Sequence, residues 1–186
     1  MQNTFHLDKT FTDLHSLTKG EYEDCVFSNC NFSNSNLSGY RFINCTFTNC
    51  DLSLSELNKT AFQNTKFINC KLLGLHFENC DAFGLSFSFE GCQLNLASFY
   101  NLKIRKTVFR DSQLQETDFS ECDLMGAIFD DCDLAQTIFD QSNLEKVDFR
   151  TAYNYSIDPE RNQVKKARFS LLGAAGLLDK YDIDIE

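Results

Sequence analysis

One periodicity constrains this chain more than any other property. From Tyr22 to Phe87, and again from Leu94 to Phe149, every fifth residue is a centre, 26 in all, and 23 of them are Phe or Leu. Tyr22, Ala82 and Ile104 are the exceptions. Phe and Leu make up 41 of the 186 residues, so random placement would put about six there; the spacing is a rule of construction. Along Asp111 to Asp148 a small residue stands two before each centre: Ser112, Thr117, Cys122, Ala127, Cys132, Thr137 and Ser142. A period of five belongs neither to a helix, at 3.6, nor to a strand, at 2. It fits a short extended piece, in which the small residue and the centre both point inward, followed by a two-residue corner of Asn, Asp, Ser, Glu, Lys or Gly. Four such units close a square coil of 20 residues, and coils stack at about 4.8 Å. The chain is therefore expected to be an all-β rod with a repeat region roughly 30 Å long. Each buried Phe or Leu contributes about 1.5–3 kcal/mol against exposure, and ladders between coils satisfy the backbone.

Units such as Cys122-Asp123-Leu124-Met125-Gly126 and Thr137-Ile138-Phe139-Asp140-Gln141 resemble the pentapeptide-repeat family. The resemblance runs from about Tyr22 to Phe149, with an echo at Ala167-Arg168-Phe169. It implies a right-handed quadrilateral β-helix. Residues 1–21 fit the repeat poorly; Phe5, Leu7, Phe11, Leu14 and Leu17 suit a cap over the first coil, where an open end exposes ladder edges and core. Residues 22–149 form the solenoid, broken at 88–91, where Phe87 and Leu94 stand seven apart instead of five. That break reads either as a small protruding loop, with Phe89 and Glu90 at a partner, or as a corner bulge eased by Gly91. Residues 150–186 form a last irregular coil and a capping or dimerisation segment. In it Pro159 turns away from the ladder, and a short helix is expected from about Leu171 to Lys180.

All nine cysteines stand two residues before a repeat centre, where free Cys acts as a compact hydrophobe. Cys30, Cys50 and Cys70 should share one column. No CxxC pair occurs, so zinc and disulfides are not expected. His6, His15 and His76 are scattered, and there is no phosphate loop or nucleophile–base set. The expectation is a non-enzyme with no cofactor and no metal. No signal core or long apolar run is present, so a cytoplasmic protein away from membranes is expected.

Charge is concentrated. After the basic cluster Lys103, Arg105, Lys106 and Arg110, the stretch 111–148 carries eleven acids and one Lys, a balance of −10 that equals the formal charge of the chain. Stacking by twenties distributes these acids around the rod. The candidate partner-binding residues are Asp111, Glu116, Asp118, Glu121, Asp123, Asp130, Asp131, Asp133 and Asp140. Such a balance disfavours direct nucleic-acid binding and favours basic partners, including DNA-binding proteins. The same belt equally fits a solvated surface that keeps a β-rod from aggregating. Resemblance to the quinolone-resistance and microcin-immunity members implies a DNA mimic. Its partner would be a type II topoisomerase, DNA gyrase or topoisomerase IV. It also implies a homodimer through Leu171, Leu172, Leu177, Leu178, Tyr181 and Ile183. The alternative is a general interaction scaffold with another partner.

Overall fold

The computed structural model describes residues 4–184; residues 1–3 of the expected N-terminal cap and 185–186 of the expected C-terminal segment lie outside it. Among the described residues, eleven strands line two faces of a right-handed four-sided β-helix. They are β1 (Thr4–Leu7), β2 (Thr10–Thr12), β3 (Gly20–Glu23), β4 (Val26–Ser28), β5 (Arg41–Ile43), β6 (Thr46–Thr48), β7 (Ala61–Gln63), β8 (Thr65–Ile68), β9 (Phe87–Glu90), β10 (Val108–Arg110) and β11 (Ile128–Asp130). Face 1 is the parallel sheet β1-β3-β5-β7, and face 2 is the parallel sheet β2-β4-β6-β8-β9-β10-β11. Faces 3 and 4 are joined by single parallel bridges such as Gln113↔Asp133 and Ser98↔Asp118. Most pairings join residues 20 apart, as in Phe27↔Phe47 and Phe109↔Phe129. Residues 4–21 make a shortened coil, with Phe11 paired to Phe27 and His6 to Tyr22.

The residue two after nearly every centre turns the chain at positive φ, from +48° at Asp111 to +72° at Gly126; Asn79, in the 3-10 turn Phe77–Asn79, and Thr151 are the exceptions. Gly, Asn and Asp tolerate that conformation, which explains their recurrence at corners. Leu96 adopts it at φ +61° with its side chain 60 % exposed. A left-handed leucine costs about 1–2 kcal/mol, and Leu96 has little burial to offset it. Leu96→Asn is expected to stabilise the protein by roughly 0.5–1 kcal/mol, read as a rise in the urea midpoint; a fall would refute the corner rule.

The small inward residue has a polar task. Its hydroxyl or thiol donates to the carbonyl of the centre 23 residues earlier: Thr60 to Leu37 (2.7 Å), Thr137 to Leu114 (2.7 Å), Ser142 to Phe119 (2.8 Å) and Cys45 to Tyr22 (3.3 Å). Cys30, Cys50, Cys70 and Cys92 follow one another in a single column, and all nine cysteines are buried free thiols. Burial pushes the Cys45 and Cys132 thiols up to about 12, which makes them inert.

Aromatic stacking organises the core. On face 2 the rings of Phe11, Phe27, Phe47, Phe67, Phe89, Phe109, Phe129, Phe149 and Phe169 form one continuous stack, with centroids 4.6–5.4 Å apart. A second stack runs through Tyr22, Phe42 and Phe62 on face 1, then transfers to face 4 as Phe77, Phe99, Phe119 and Phe139. The transfer happens where the period breaks.

That break lies upstream of the place expected from the sequence. Phe67 pairs with Phe89 and Thr65 with Phe87, so the two extra residues fall within 81–86. Phe89 is a repeat centre, 1 % exposed and stacked between Phe67 and Phe109; it is not a loop anchor. Gly91 is an ordinary corner, two residues after Phe89. Face 1 loses a centre here, and Phe87 fills the volume from the position normally held by a small residue, packing against Phe77, Phe89 and Phe99. The residue that protrudes is Phe83, 79 % exposed. Its N–H donates to Asp81 Oδ1 (3.0 Å), and its carbonyl accepts from Gln63 Nε2 (3.0 Å).

At the far end the expected helix is replaced by two 3-10 turns, Gly173–Leu177 and Asp179–Tyr181. Gly173 and Gly176 press against Tyr155, where any Cβ would collide with its hydroxyl and its carbonyl oxygen. That close approach seats the segment on the last coil and admits only glycine at these two positions.

Candidate protein-interaction surface

In each unit the outward positions are the residue before the centre, the residue after it, and the corner. They do different work. Before the centre, Asp and Asn fold back on the backbone. Asp118 Oδ1 accepts from Ser120 N (2.8 Å), Asp123 Oδ1 from Met125 N (3.3 Å) and Asp133 Oδ1 from Ala135 N (3.2 Å). These are Asx-turns, so part of the acidic belt is turn chemistry.

After the centre, acids are met by arginines one coil away or nearby in the same coil. Arg110 pairs with Asp130 (3.1 Å) and Arg161 with Asp140 (2.7 Å); before its centre, Asp123 takes Arg105 (2.7 Å) in addition to its turn bond. The Arg110 guanidinium and the Thr151 hydroxyl hold the Asp130 carboxyl below its usual range. Partial burial opposes the same shift at Asp133, but hydrogen bonds from Asn154, Gln115 and the Ala135 N–H outweigh it. Glu90 lies on face 2 in register with Arg110, and Arg110 with Asp130, so it belongs to a ladder of alternating charge, not to a loop.

Asp148 receives Arg150 at 2.7 Å and Arg168 at 3.5 Å, and the Arg150 hydrogen bond holds its carboxyl below the usual range. A group depressed in the fold stabilises it above the unfolded value, near 3.9 for Asp, and that contribution is lost as pH falls through the folded value. Asp130, Asp133, Asp158 and Glu160 shift in the same direction. The melting temperature is expected to hold from neutral pH to about 5 and to drop below about 4. In Asp148→Asn a pH series should show a shallower drop; an identical slope would remove Asp148 from the account.

At the corners stand Asp111, Glu116, Glu121 and Asp131, all exposed and none in an ion pair among the described residues. Asp111 and Asp131 share the edge between faces 2 and 3, Glu116 holds the edge between faces 3 and 4, and Glu121, which accepts from the Tyr100 hydroxyl (3.0 Å), the edge beyond face 4. The unneutralised corner charge therefore lies on the three edges that bound faces 3 and 4, the last of them shared with face 1. Phe83 was missed as an exposed side chain; its signal was Ala82-Phe83-Gly84, a unit without a small–x–Phe/Leu pattern.

The C-terminal end presents a second surface. Leu171 and Leu172 are 93 % and 92 % exposed, with Leu178, Tyr181 and Ile183 also exposed beside them. Leu177 instead packs against the core. Lys180 clamps the segment to the rod through Asp158 (2.8 Å) and Glu160 (2.7 Å). No group of three His, Cys, Asp or Glu among the described residues is arranged to hold a metal ion, and no helix there is long and apolar enough to cross a membrane.

The pentapeptide repeat region model matches residues 21–88 and 86–153. No curated protein matches the chain. Among solved structures, a trypsin-treated variant of QnrB1, a plasmid-mediated fluoroquinolone resistance protein, is similar with a TM-score of 0.65 at 15 % identity, covering 100 % of both chains. A second trypsin-treated QnrB1 variant gives 0.49 at 20 % identity, over 98 % of this chain and 100 % of that one. HetL, a pentapeptide repeat protein involved in heterocyst differentiation regulation from the cyanobacterium Nostoc, gives 0.32 at 14 %, over 90 % and 86 %. At 15 % identity the first of these likenesses bears on the fold alone. With the repeat model spanning both sides of the break and the four-sided coil underneath it, the chain belongs to the pentapeptide-repeat family.

Proposed function

We propose that this chain is a non-enzymatic acidic rod that binds a type II topoisomerase, DNA gyrase or topoisomerase IV, where DNA would otherwise lie. By doing so it would modulate the enzyme or protect it from quinolone- or microcin-type poisons. The observation that carries this reading is the set of exposed, unpaired corner acids Asp111, Glu116, Glu121 and Asp131 along faces 3 and 4. Their density suits a basic, DNA-binding surface. The exposed Leu171, Leu172, Tyr181 and Ile183 support a tail-to-tail homodimer. Two rods end to end would span roughly 60 Å, about 18 base pairs at 3.4 Å each.

The test is gyrase supercoiling with purified protein titrated in, with and without a quinolone. Inhibition or rescue that weakens with salt supports the reading; no effect across the titration sinks it. For the dimer, Leu171→Glu with Leu172→Glu should convert a dimer to a monomer in light scattering, and a monomeric parent protein would refute that part. A scaffold with a different partner is the second reading, favoured by Phe83, whose apolar ring on a braced bulge offers a contact that charge does not provide.

A further inference from the structure

Beyond the break, face 1 carries the opposite sign to the rest of the rod. Its outward residues before the centres are Lys103, Asp123, Asn143 and Gln163, joined in that order by parallel bridges. After the centres come Arg105, Met125, Glu145 and Lys165, and at the corner Lys106, Gly126, Lys146 and Lys166. Arg105 and Asp123 neutralise each other at 2.7 Å. That leaves five exposed lysines against Glu145, and none of the five forms an ion pair among the described residues. On a chain of formal charge −10, such a face is an island.

The corner column adds a separate observation. Lys106, Lys146 and Lys166 are held at φ +60°, +61° and +61°. On the same edge before the break stand Asp24, Asn44 and Asn64, residue types that adopt this conformation more easily. Nothing in the rod's packing calls for lysine at these corners. Gly126, between them, leaves open the space into which the Lys106 stem extends: a Cβ there would first meet Lys106 Cγ, at 3.6 Å.

We infer that this face binds the phosphate backbone of double-stranded DNA without reading its sequence. The five lysines are mobile point charges on a straight β-face whose steps are about 4.8 Å. From Lys106 to Lys166 is three coils, roughly 14 Å, or about four base pairs along a duplex. Faces 1 and 3 are opposite sides of the coil. Sheets packed across such a core lie roughly 10 Å apart, already beyond the Debye length of about 8 Å at physiological salt. A duplex on face 1 is therefore screened from Asp111, Glu116 and Asp131 across the core, and of the four corner acids Glu121 alone stands on an edge of face 1. The expectation that the overall charge rules out nucleic acid takes the charge as evenly spread, and here it is sorted by face. This inference does not depend on the topoisomerase reading.

The test is fluorescence anisotropy of a short, labelled, mixed-sequence DNA duplex titrated with the full-length protein. Binding is expected in the non-specific range, about 10⁻⁴ to 10⁻⁶ M. With about four phosphates neutralised, affinity should fall roughly a hundredfold between about 50 and 200 mM salt. The variant Lys106→Glu, Lys146→Glu, Lys165→Glu, Lys166→Glu should lose binding while its melting temperature stays within a few degrees; the matching Lys→Arg variant should keep it. Three outcomes overturn the inference. The first is no binding by the parent protein in this range, and the second is equal binding by the Glu variant. The third is sedimentation of the protein alone showing salt-sensitive side-by-side association that the Glu variant abolishes, which would give the face to a second copy.

Discussion

Phe109→Ala should destabilise this protein by roughly 3–5 kcal/mol, among the largest effects available to a single substitution in it. The ring is fully buried and stacked between Phe89 at 5.1 Å and Phe129 at 4.8 Å, with the edges of Phe99 and Phe119 against it at 5.9 and 5.7 Å. The cost depends on how far the surroundings can relax into the space left. Here they cannot relax far, because the distance between coils is fixed by ladder bonds on either side, such as Gly91 N to Arg110 O and Asp111 N to Asp130 O, at 3.0 and 2.9 Å. A four-sided coil also cannot narrow at one level without breaking those bonds at the next. By contrast Phe83→Ala, at the tip of the bulge, should change stability by less than about 0.5 kcal/mol. Urea denaturation of the two variants side by side is the check. A large loss at Phe83 with a small one at Phe109 would reverse the register described for the break.

That register shows how far the sequence could be read. The inward centres, the small donors and the turn-forming corners all follow from the pentad, because each depends on a residue's position within its own unit. The break does not. Counting by fives from Phe67 arrives at Phe87 four units later, and Phe87 is aromatic, so nothing in the count objects. The true partner is Phe89, two residues further on. Only the failure of Ala82 as a centre marks the place where the two residues were added. The acidic belt failed as a simple count for a related reason. Asp123 meets Arg105, 18 residues away, and Asp140 meets Arg161, 21 residues away. Those contacts bridge coils, so a reading along the chain sees only a run of acids. The C-terminal turns depended on Tyr155 lying against Gly173 and Gly176, a contact between segments with no shared repeat.

The sorting of acids by role leads to the second large effect. On the proposed topoisomerase reading, reversal of the free corner acids, in Asp111→Lys, Glu116→Lys, Asp131→Lys, is expected to raise the concentration needed for half-inhibition of gyrase supercoiling roughly a hundredfold. These side chains are exposed and make no ion pair among the described residues, so their charge faces outward undiminished. Neutralising the arginine-paired acids, in Asp123→Asn, Asp130→Asn, Asp140→Asn, should do much less to binding. Their field is already compensated by Arg105, Arg110 and Arg161 one coil away, and the freed arginines disturb the surface only locally. The stability changes should run the other way. Reversal at the corners leaves positions 111 and 131, adjacent in one column, like-charged as before and removes no ion pair, whereas the Asn set removes three. A triple corner reversal that inhibits gyrase as well as the parent protein, and at the same salt dependence, would mean that the belt is a solubility device and that contact is made elsewhere, with the Phe83 bulge the next place to mutate.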